Sequence, residues 1–467
     1  MTEIASTPTA TAASRPALGF LDTALYMLAA GVGIRWIAVA AAVGPASLPL
    51  WLLALIVFYL PLAVAVAELT GRHPGEGGIY AWVRDEFGPL AGFICGWFYW
   101  FALMPYFAGI LYFLGGLILA ALGHDPKDTL AYIAIAAAIS LLVTAMQAAG
   151  LKYGKWLPNI GMTGGWIVVL IIVAMGVVIG VEGRSATDFA HAAWLAPASF
   201  PTAILWGTIV FAFSGAESAA FLRSEIKGGL KTIVAALAIV GVASVFVYGA
   251  GTASFLAILP QGELTRLGGF ADALKTGLVH LGLGRFVPIV IGLFAFSMLG
   301  GFTAWFGVGA RLPFAAGIDA FLPKVFARRN PKTGAPVPAI LLQAGLMFAV
   351  VLLSQAGSSV AGAYDILVNM AVLGSTVPYL FMFAAQLRAA GRPQVAGGWT
   401  PPGGKRTSVV LGWLGLLSSA VAILCTLAPD PNDAHAGLTF LKIAGATALM
   451  LAAGLALYGT ARWRART

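Results

Sequence analysis

Charge is what this 467-residue chain has least of, since only 10% of its residues are Asp, Glu, Lys or Arg. Soluble domains carry about 25%, so the scarcity excludes a chain that folds wholly in water. Cysteine is almost missing: Cys95 and Cys425 are the two, both within apolar runs, and they give no disulfide framework. The histidines, His73, His124, His191, His280 and His435, are scattered without metal-ligand spacing and with no nucleophile beside them. That argues against a membrane enzyme and calls for no cofactor. Rings of like charge and a symmetry-repeated filter, the marks of a channel, are lacking too.

Apolar length is there in their place. Hydrophobic residues make up 60% of the chain, and mean hydropathy is +0.91. Runs of about 20 apolar residues, long enough to cross roughly 30 Å of hydrocarbon, lie near 20–43, 48–70, 90–121, 129–148, 158–181, 201–222, 231–256, 286–310, 336–354, 364–388, 408–428 and 438–461. The pattern predicts an all-α polytopic membrane protein with twelve transmembrane helices and the lipid bilayer as its surroundings.

The net charge of +9 reports topology rather than nucleic-acid binding. With the N-terminus in the cytoplasm, that side holds most of the basic residues, from Arg15, Arg72 and Arg84 through Lys324, Arg328 and Arg329 to Arg462, Arg464 and Arg466. The opposite side keeps only Lys127, Arg184, Arg266, Lys275, Arg285 and Lys442. This asymmetry predicts two cytoplasmic termini. Residues 1–17 are small and polar without a basic n-region, so they read as a disordered tail and not a cleavable signal. Residues 462–467 read as a basic tail.

Two spans carry breaks in matching places. The first, "LYMLAAGVGIRW", is interrupted by Gly31 and Gly33, and the sixth by "FAFSGAES" at 211–218. Glycine costs about 1 kcal/mol relative to alanine inside a helix, so an anchor helix would avoid it. Five spans per unit predict an inverted repeat over 18–195 and 196–390, with spans 11 and 12 in 391–461, and a site at the midplane where the broken helices meet. Unwinding frees N–H and C=O groups that hydrocarbon cannot satisfy. A zwitterion fits them, its carboxylate at the amides of Val32 and Gly33 and its ammonium at carbonyls near Ala29, Phe211 and Ser214. Close helix packing is the competing explanation for the glycines; the matching break in span 6 favours a ligand.

Several stretches resemble the amino acid, polyamine and organocation permease superfamily. They are "AAGVGIRW", "AELTGRHPGEGGIYAWVRDEFGPLAGF", "FSGAESAAFLRSEIKGG" and "GARLPFAAGIDAFLPKVFARRNPKTGAPVPA", with "VPYLFMFAAQLR" in span 10. They extend over nearly all of 18–388, and "IRWIAVAAAVGPASLPLW" is closer to the glutamate/GABA-antiporter-like branch than to the arginine/agmatine exchangers. The resemblance implies a five-plus-five inverted-repeat transporter of amino acids working by alternating access, in which Phe211 closes over the substrate. It makes Ala102, Leu103, Phe107, Trp305 and Ala371 the side-chain pocket. All are apolar, which favours a neutral, hydrophobic amino acid. The basic loop signature of the major-facilitator superfamily is missing after span 2.

The departures are specific. Several members carry a lysine in helix 5 that links helices 1 and 8; "LPNIGMTGGWIVVLIIVAMG" has none, and Lys152 and Lys155 precede it. Ion and proton coupling therefore stay open. The usual G-S-G of the first break is Gly31-Val32-Gly33, which lacks the serine hydroxyl.

Two charges lie just past the breaks, and ionisable groups at this depth mark a path, a relay or a pair. Arg35 has three readings: a strut paired with Glu217, a fork for an acidic side chain, or a snorkelling cation. Glu217 either holds the unwound segment by hydrogen bonds or carries a proton. Gly31, Arg35, Phe211 and Glu217 are thus the candidates for gating or coupling. Asp22, Glu68 and Asp365 fall near helix ends, within reach of water. Glu225 with Arg223 and Lys227, and Arg311 with Asp319 and Lys324, read as gate or loop salt bridges, individually weak.

Overall fold

Glycine and proline decide where the apolar runs divide. In the computed structural model, which describes residues 18–73, 78–124, 127–149, 156–195, 199–315, 318, 321–393, 395, 397–428 and 435–464, span 1 splits at its glycines. Helix α1 (Phe20–Gly31) stops at the first glycine, and α2 (Trp36–Ala41) resumes beyond Arg35. Next come α3 (Ser47–Arg72), the short α4 (Gly78–Phe87), α5 (Pro89–Leu122), α6 (Thr129–Ala149) and α7 (Trp156–Val181). Span 6 is α8 (Phe200–Ala212), which unwinds and continues as a 3-10 helix, Ala216–Glu225. The remainder is α9 (Leu230–Ile258), α10 (Gly269–His280), α11 (Val287–Gly309), α12 (Val337–Gln355), α13 (Val360–Ala389), α14 (Gly404–Leu427) and α15 (Ala436–Arg464).

The protein is all-helical. Among the described residues, eleven helices are long and apolar enough to cross a membrane, and α1 is a shorter apolar one. Each predicted span from the second onward falls on one of those eleven. The tail at 1–17, Lys152, Lys155, Asp319 and residues 465–467 lie outside the described residues.

Burial separates the helices that surround the centre from those that face lipid. In α13, 83% of the apolar window is buried, against 22% in α15. A helix that is apolar all round belongs in a protein interior or a bilayer, and α13, α5 and α8 are the interior ones. Helix α5 is interrupted at Ala102, three residues before Pro105, whose missing N–H and ring clash with the preceding turn prevent a regular helix there. Helices α7 and α11 approach backbone to backbone: a Cβ on Gly161 would lie 3.1 Å from the Gly300 Cα, and one on Gly300 2.7 Å from the Leu157 carbonyl. Gly165 continues this stripe, with Ser297 Oγ 2.5 Å and Ile34 Cδ1 3.2 Å from its Cβ position. Helix α7 therefore meets α11 and the break of span 1 by contact between small residues.

At the end of the bundle holding the α3–α4 turn, the charges pair differently from the sequence expectation. Arg223 donates to the carbonyls of Thr70 and His73, and Arg311 to that of Gly307 at 2.6 Å. No ion pair involves Lys227 or Lys324 among the described residues, and the Glu225 side chain lies outside them. The cluster here is Glu86 with Arg392 at 2.9 Å and Arg388 at 3.7 Å, and His73 with Asp85 at 3.0 Å. Glu68 is also a correction: it is buried, and accepts from Gln386 at 3.0 Å and Ser408 at 2.6 Å, joining α3, α13 and α14. An isolated bridge between Leu18 and Ile226, with Lys227 N–H donating to the Leu18 carbonyl at 2.8 Å, ties the start of α1 to the end of the 3-10 helix.

Candidate functional site

The two breaks lie against each other. A Cβ on Gly31 would stand 3.4 Å from the Ser214 carbonyl and 3.7 Å from the Ala216 nitrogen. Gly215 has φ +102°, a conformation that a residue with a Cβ rarely adopts, and its Cβ position is 2.5 Å from the Ala30 carbonyl. Broken helices must find partners for freed backbone groups, and here Tyr248 of α9 supplies several. Its hydroxyl accepts from the Gly33 N–H at 3.0 Å and donates to the Ala212 carbonyl at 2.8 Å, with the Gly31 carbonyl at 3.3 Å. Trp51 stacks on the Tyr248 ring at 4.3 Å and donates its indole N–H to Thr252. The hydroxyl is therefore held in place between the breaks.

Backbone groups expected to meet a ligand have partners within the protein. The Val32 amide is bonded to Leu28 at 2.9 Å and the Gly33 amide to Tyr248. Phe211's carbonyl accepts from both the N–H and the hydroxyl of Ser214. The Val32 and Gly33 amides and the Phe211 carbonyl are thus satisfied within the protein, as buried backbone has to be.

Between the breaks is a cavity of about 90 Å³. At 10–15 Å³ per water position it has room for roughly six water-sized bodies, the scale of a small zwitterion. Ala29, Gly31, Val32, Gly33, Ala102, Leu103, Phe211, Ser214, Glu217 and Trp305 all line it. Phe107 and Ala371 do not. Phe107 is fully buried against Phe302 and Phe306, and Ala371 is buried within α13. Helical residues turn by 100° each, so a resemblance that places a stretch on α5 or α13 still leaves the facing of a residue several positions away open.

The wall also holds Trp36, Tyr99, Tyr106, Ser375 and Tyr379, which the sequence reading passes over. Tyr99 lies in span 3 and Tyr379 in the "VPYL" of span 10, and neither is singled out by the sequence. The signal was available: a carboxylate at midplane needs donors, and these tyrosines are hydroxyls on neighbouring helices. Both donate to one oxygen of Glu217, Tyr99 at 2.9 Å and Tyr379 at 2.7 Å, while the other accepts from the Gly215 N–H at 2.9 Å. Glu217 therefore holds the unwound turn to α5 and α13.

Arg35 takes no part in that network. No ion pair joins it to Glu217 among the described residues, so the strut reading falls. At 3% exposure it does not snorkel either. Its guanidinium lies over the ring of Trp36 at 4.0 Å and that of Tyr106 at 5.0 Å, contacts worth about 0.5–2 kcal/mol each. Phe211 closes the same aromatic group, edge-on to Trp36 at 5.5 Å and to Tyr106 at 5.8 Å. The three rings roof the cavity, with Arg35 behind them.

Chemically, the site offers a polar end made by the breaks, Glu217 and Ser375, and an apolar side made by Ala102, Leu103, Trp305 and the aromatic roof. No cluster of three or more His, Cys, Asp or Glu that could hold a metal occurs among the described residues. A family model described as amino acid permease matches residues 18–450. An uncharacterized transporter of Legionella pneumophila is 24% identical over 425 residues, covering 89% of this chain and 90% of that protein. The glutamate/gamma-aminobutyrate antiporter of Lactococcus lactis is 24% identical over 394 residues, 81% of this chain and 77% of its own. A probable agmatine/putrescine antiporter of the same species is 22% identical over 311 residues, covering 65% and 64%.

Proposed function

Because the chain belongs to the amino acid permease family, and is thus a multi-pass membrane transporter of amino acids and not an enzyme, we propose that its substrate is a free neutral amino acid with a hydrophobic side chain. The observation that carries this reading is the cavity itself. It joins both helix breaks to an apolar wall, and no basic side chain lines it. The amino and carboxyl groups lie along Gly31–Gly33 and Ser214–Gly215, where the Gly33 N–H passes from Tyr248 to the carboxylate. The side chain extends towards Ala102, Leu103 and Trp305. Phe211, Trp36 and Tyr106 separate and rejoin as the carrier alternates between its two faces, the units 18–195 and 196–390 being inverted repeats. Both termini are cytoplasmic, as the basic loops imply.

The acidic-substrate alternative has the name of the Lactococcus antiporter on its side. It lacks a cation in the cavity, because Trp36 and Tyr106 separate Arg35 from the bound ligand. Counterflow in proteoliposomes decides, with labelled leucine or glutamate outside and a panel of unlabelled amino acids inside. Exchange of leucine or phenylalanine supports the proposal. Exchange confined to glutamate would overturn it.

A further inference from the structure

A second cavity, of about 580 Å³, is lined in part by α2 one turn beyond Trp36. Its wall includes Val39 and Ala42 of α2 and Asp365, Ile366 and Asn369 of α13. With the proposed topology, this is the external vestibule. Arg35 lines neither cavity. It adjoins lining residues of both, next to Trp36 of the first and one turn from Val39 of the second, and faces the turn of α13 that carries Tyr364 and Leu367.

Its surroundings leave a specific deficit. The Arg35 guanidinium is buried, and one of its terminal nitrogens and the buried hydroxyl of the neighbouring Tyr364 have no hydrogen-bond partner beyond each other among the described residues. No carboxylate lies within ion-pair distance of Arg35 among the described residues. Gly109 makes room for the group, since a Cβ there would stand 3.4 Å from the Arg35 nitrogen. Aromatic faces partly compensate a cation, but they accept no directed N–H hydrogen bond of the kind a carboxylate takes from a guanidinium fork. A buried guanidinium left this way calls for an anion that arrives and leaves.

We propose that Arg35 and Tyr364 form a transient subsite for the α-carboxylate of the incoming amino acid, occupied while the roof is open towards the vestibule and vacated when Trp36 and Tyr106 close. The subsite reads the carboxylate common to all amino acids, so it selects against amines and amides without choosing a side chain. It rests on the proposed function, because it presupposes a zwitterion travelling from the vestibule to the breaks.

The test is exchange with saturating substrate on the opposite side, in right-side-out and inside-out vesicles, for wild type, Arg35→Gln, Arg35→Lys and Tyr364→Phe. Arg35→Gln is expected to raise the external half-saturation concentration about tenfold, the usual weight of a charge-assisted hydrogen bond, with the cytoplasmic one within about twofold. Arg35→Lys recovers part of the loss. Tyr364→Phe shows a smaller shift with the same asymmetry, and it carries the test if Arg35→Gln fails to reach the membrane. External inhibition by the carboxamide analogue, weaker than by the amino acid in wild type, is expected to approach it in Arg35→Gln. Equal shifts on both faces would mean that Arg35 only positions Trp36, and would overturn the subsite. Absence of amino acid exchange in wild type would instead remove the functional reading beneath it.

Discussion

The Gly33 N–H and the Tyr248 hydroxyl are 3.0 Å apart, and that hydroxyl also donates to Ala212, so one side chain of α9 serves both helix breaks. Tyr248→Phe keeps the stack on Trp51 while stranding the part-buried Gly33 N–H and the buried Ala212 carbonyl. It is expected to lower stability by about 1–3 kcal/mol, measured as a drop in detergent melting temperature. An unchanged melting curve would show that the breaks do not depend on it.

Glu217 binds three donors from three segments. Glu217→Ala strands all of them, and counterflow is expected to be lost. Glu217→Gln retains an acceptor and is expected to keep part of it. The structural role further requires that transport by Glu217→Gln follow pH as wild type does; a profile flattened by this substitution would assign the carboxylate to proton movement.

Gly215 combines φ +102° with a Cβ position 2.5 Å from a carbonyl oxygen. Gly215→Ala is expected to cost roughly 1–3 kcal/mol in backbone strain and to abolish exchange by pushing the breaks apart. Gly262→Ala, where nothing lies within 4 Å, is the matched control and should leave exchange intact.

Glu86 is 2% exposed and pairs with Arg388 and Arg392, which are half-exposed. Replacing it with glutamine is expected to weaken the hold of α4 on the end of α13 by about 1–3 kcal/mol, read as a lower melting temperature and faster exchange. Salt reproduces only part of this, since buried charges are poorly screened. Slower exchange at unchanged stability would show that this cluster does not hold α4 to α13 against opening.

Spans and breaks were legible because each depends on a local property. Apolar length marks the spans, and Gly31, Gly33 and "FSGAES" mark the places where helix cannot continue. Facing was not legible. Phe107 and Ala371 sit in helices that are apolar all round, so no polar stripe indicates which side meets the cavity. The pairing of Arg35 with Glu217 follows from charge alone. It failed because tyrosines of α5 and α13 reach Glu217 first, while Trp36 and Tyr106 hold the guanidinium on the other side of the roof. Tyr248 lies more than two hundred positions from Gly33, and nothing in its own span distinguishes it from a packing tyrosine.

The Leu18–Ile226 bridge makes a lever of two segments far apart in sequence. Helix α1 and the 3-10 helix of span 6 are fastened at their outer ends by this bridge and meet again at Gly31 and Ser214, so a load applied ahead of Leu18 does work on the turn that Glu217 secures. A pull on the chain at Leu18 is therefore transmitted to the two breaks without any contact at the breaks themselves.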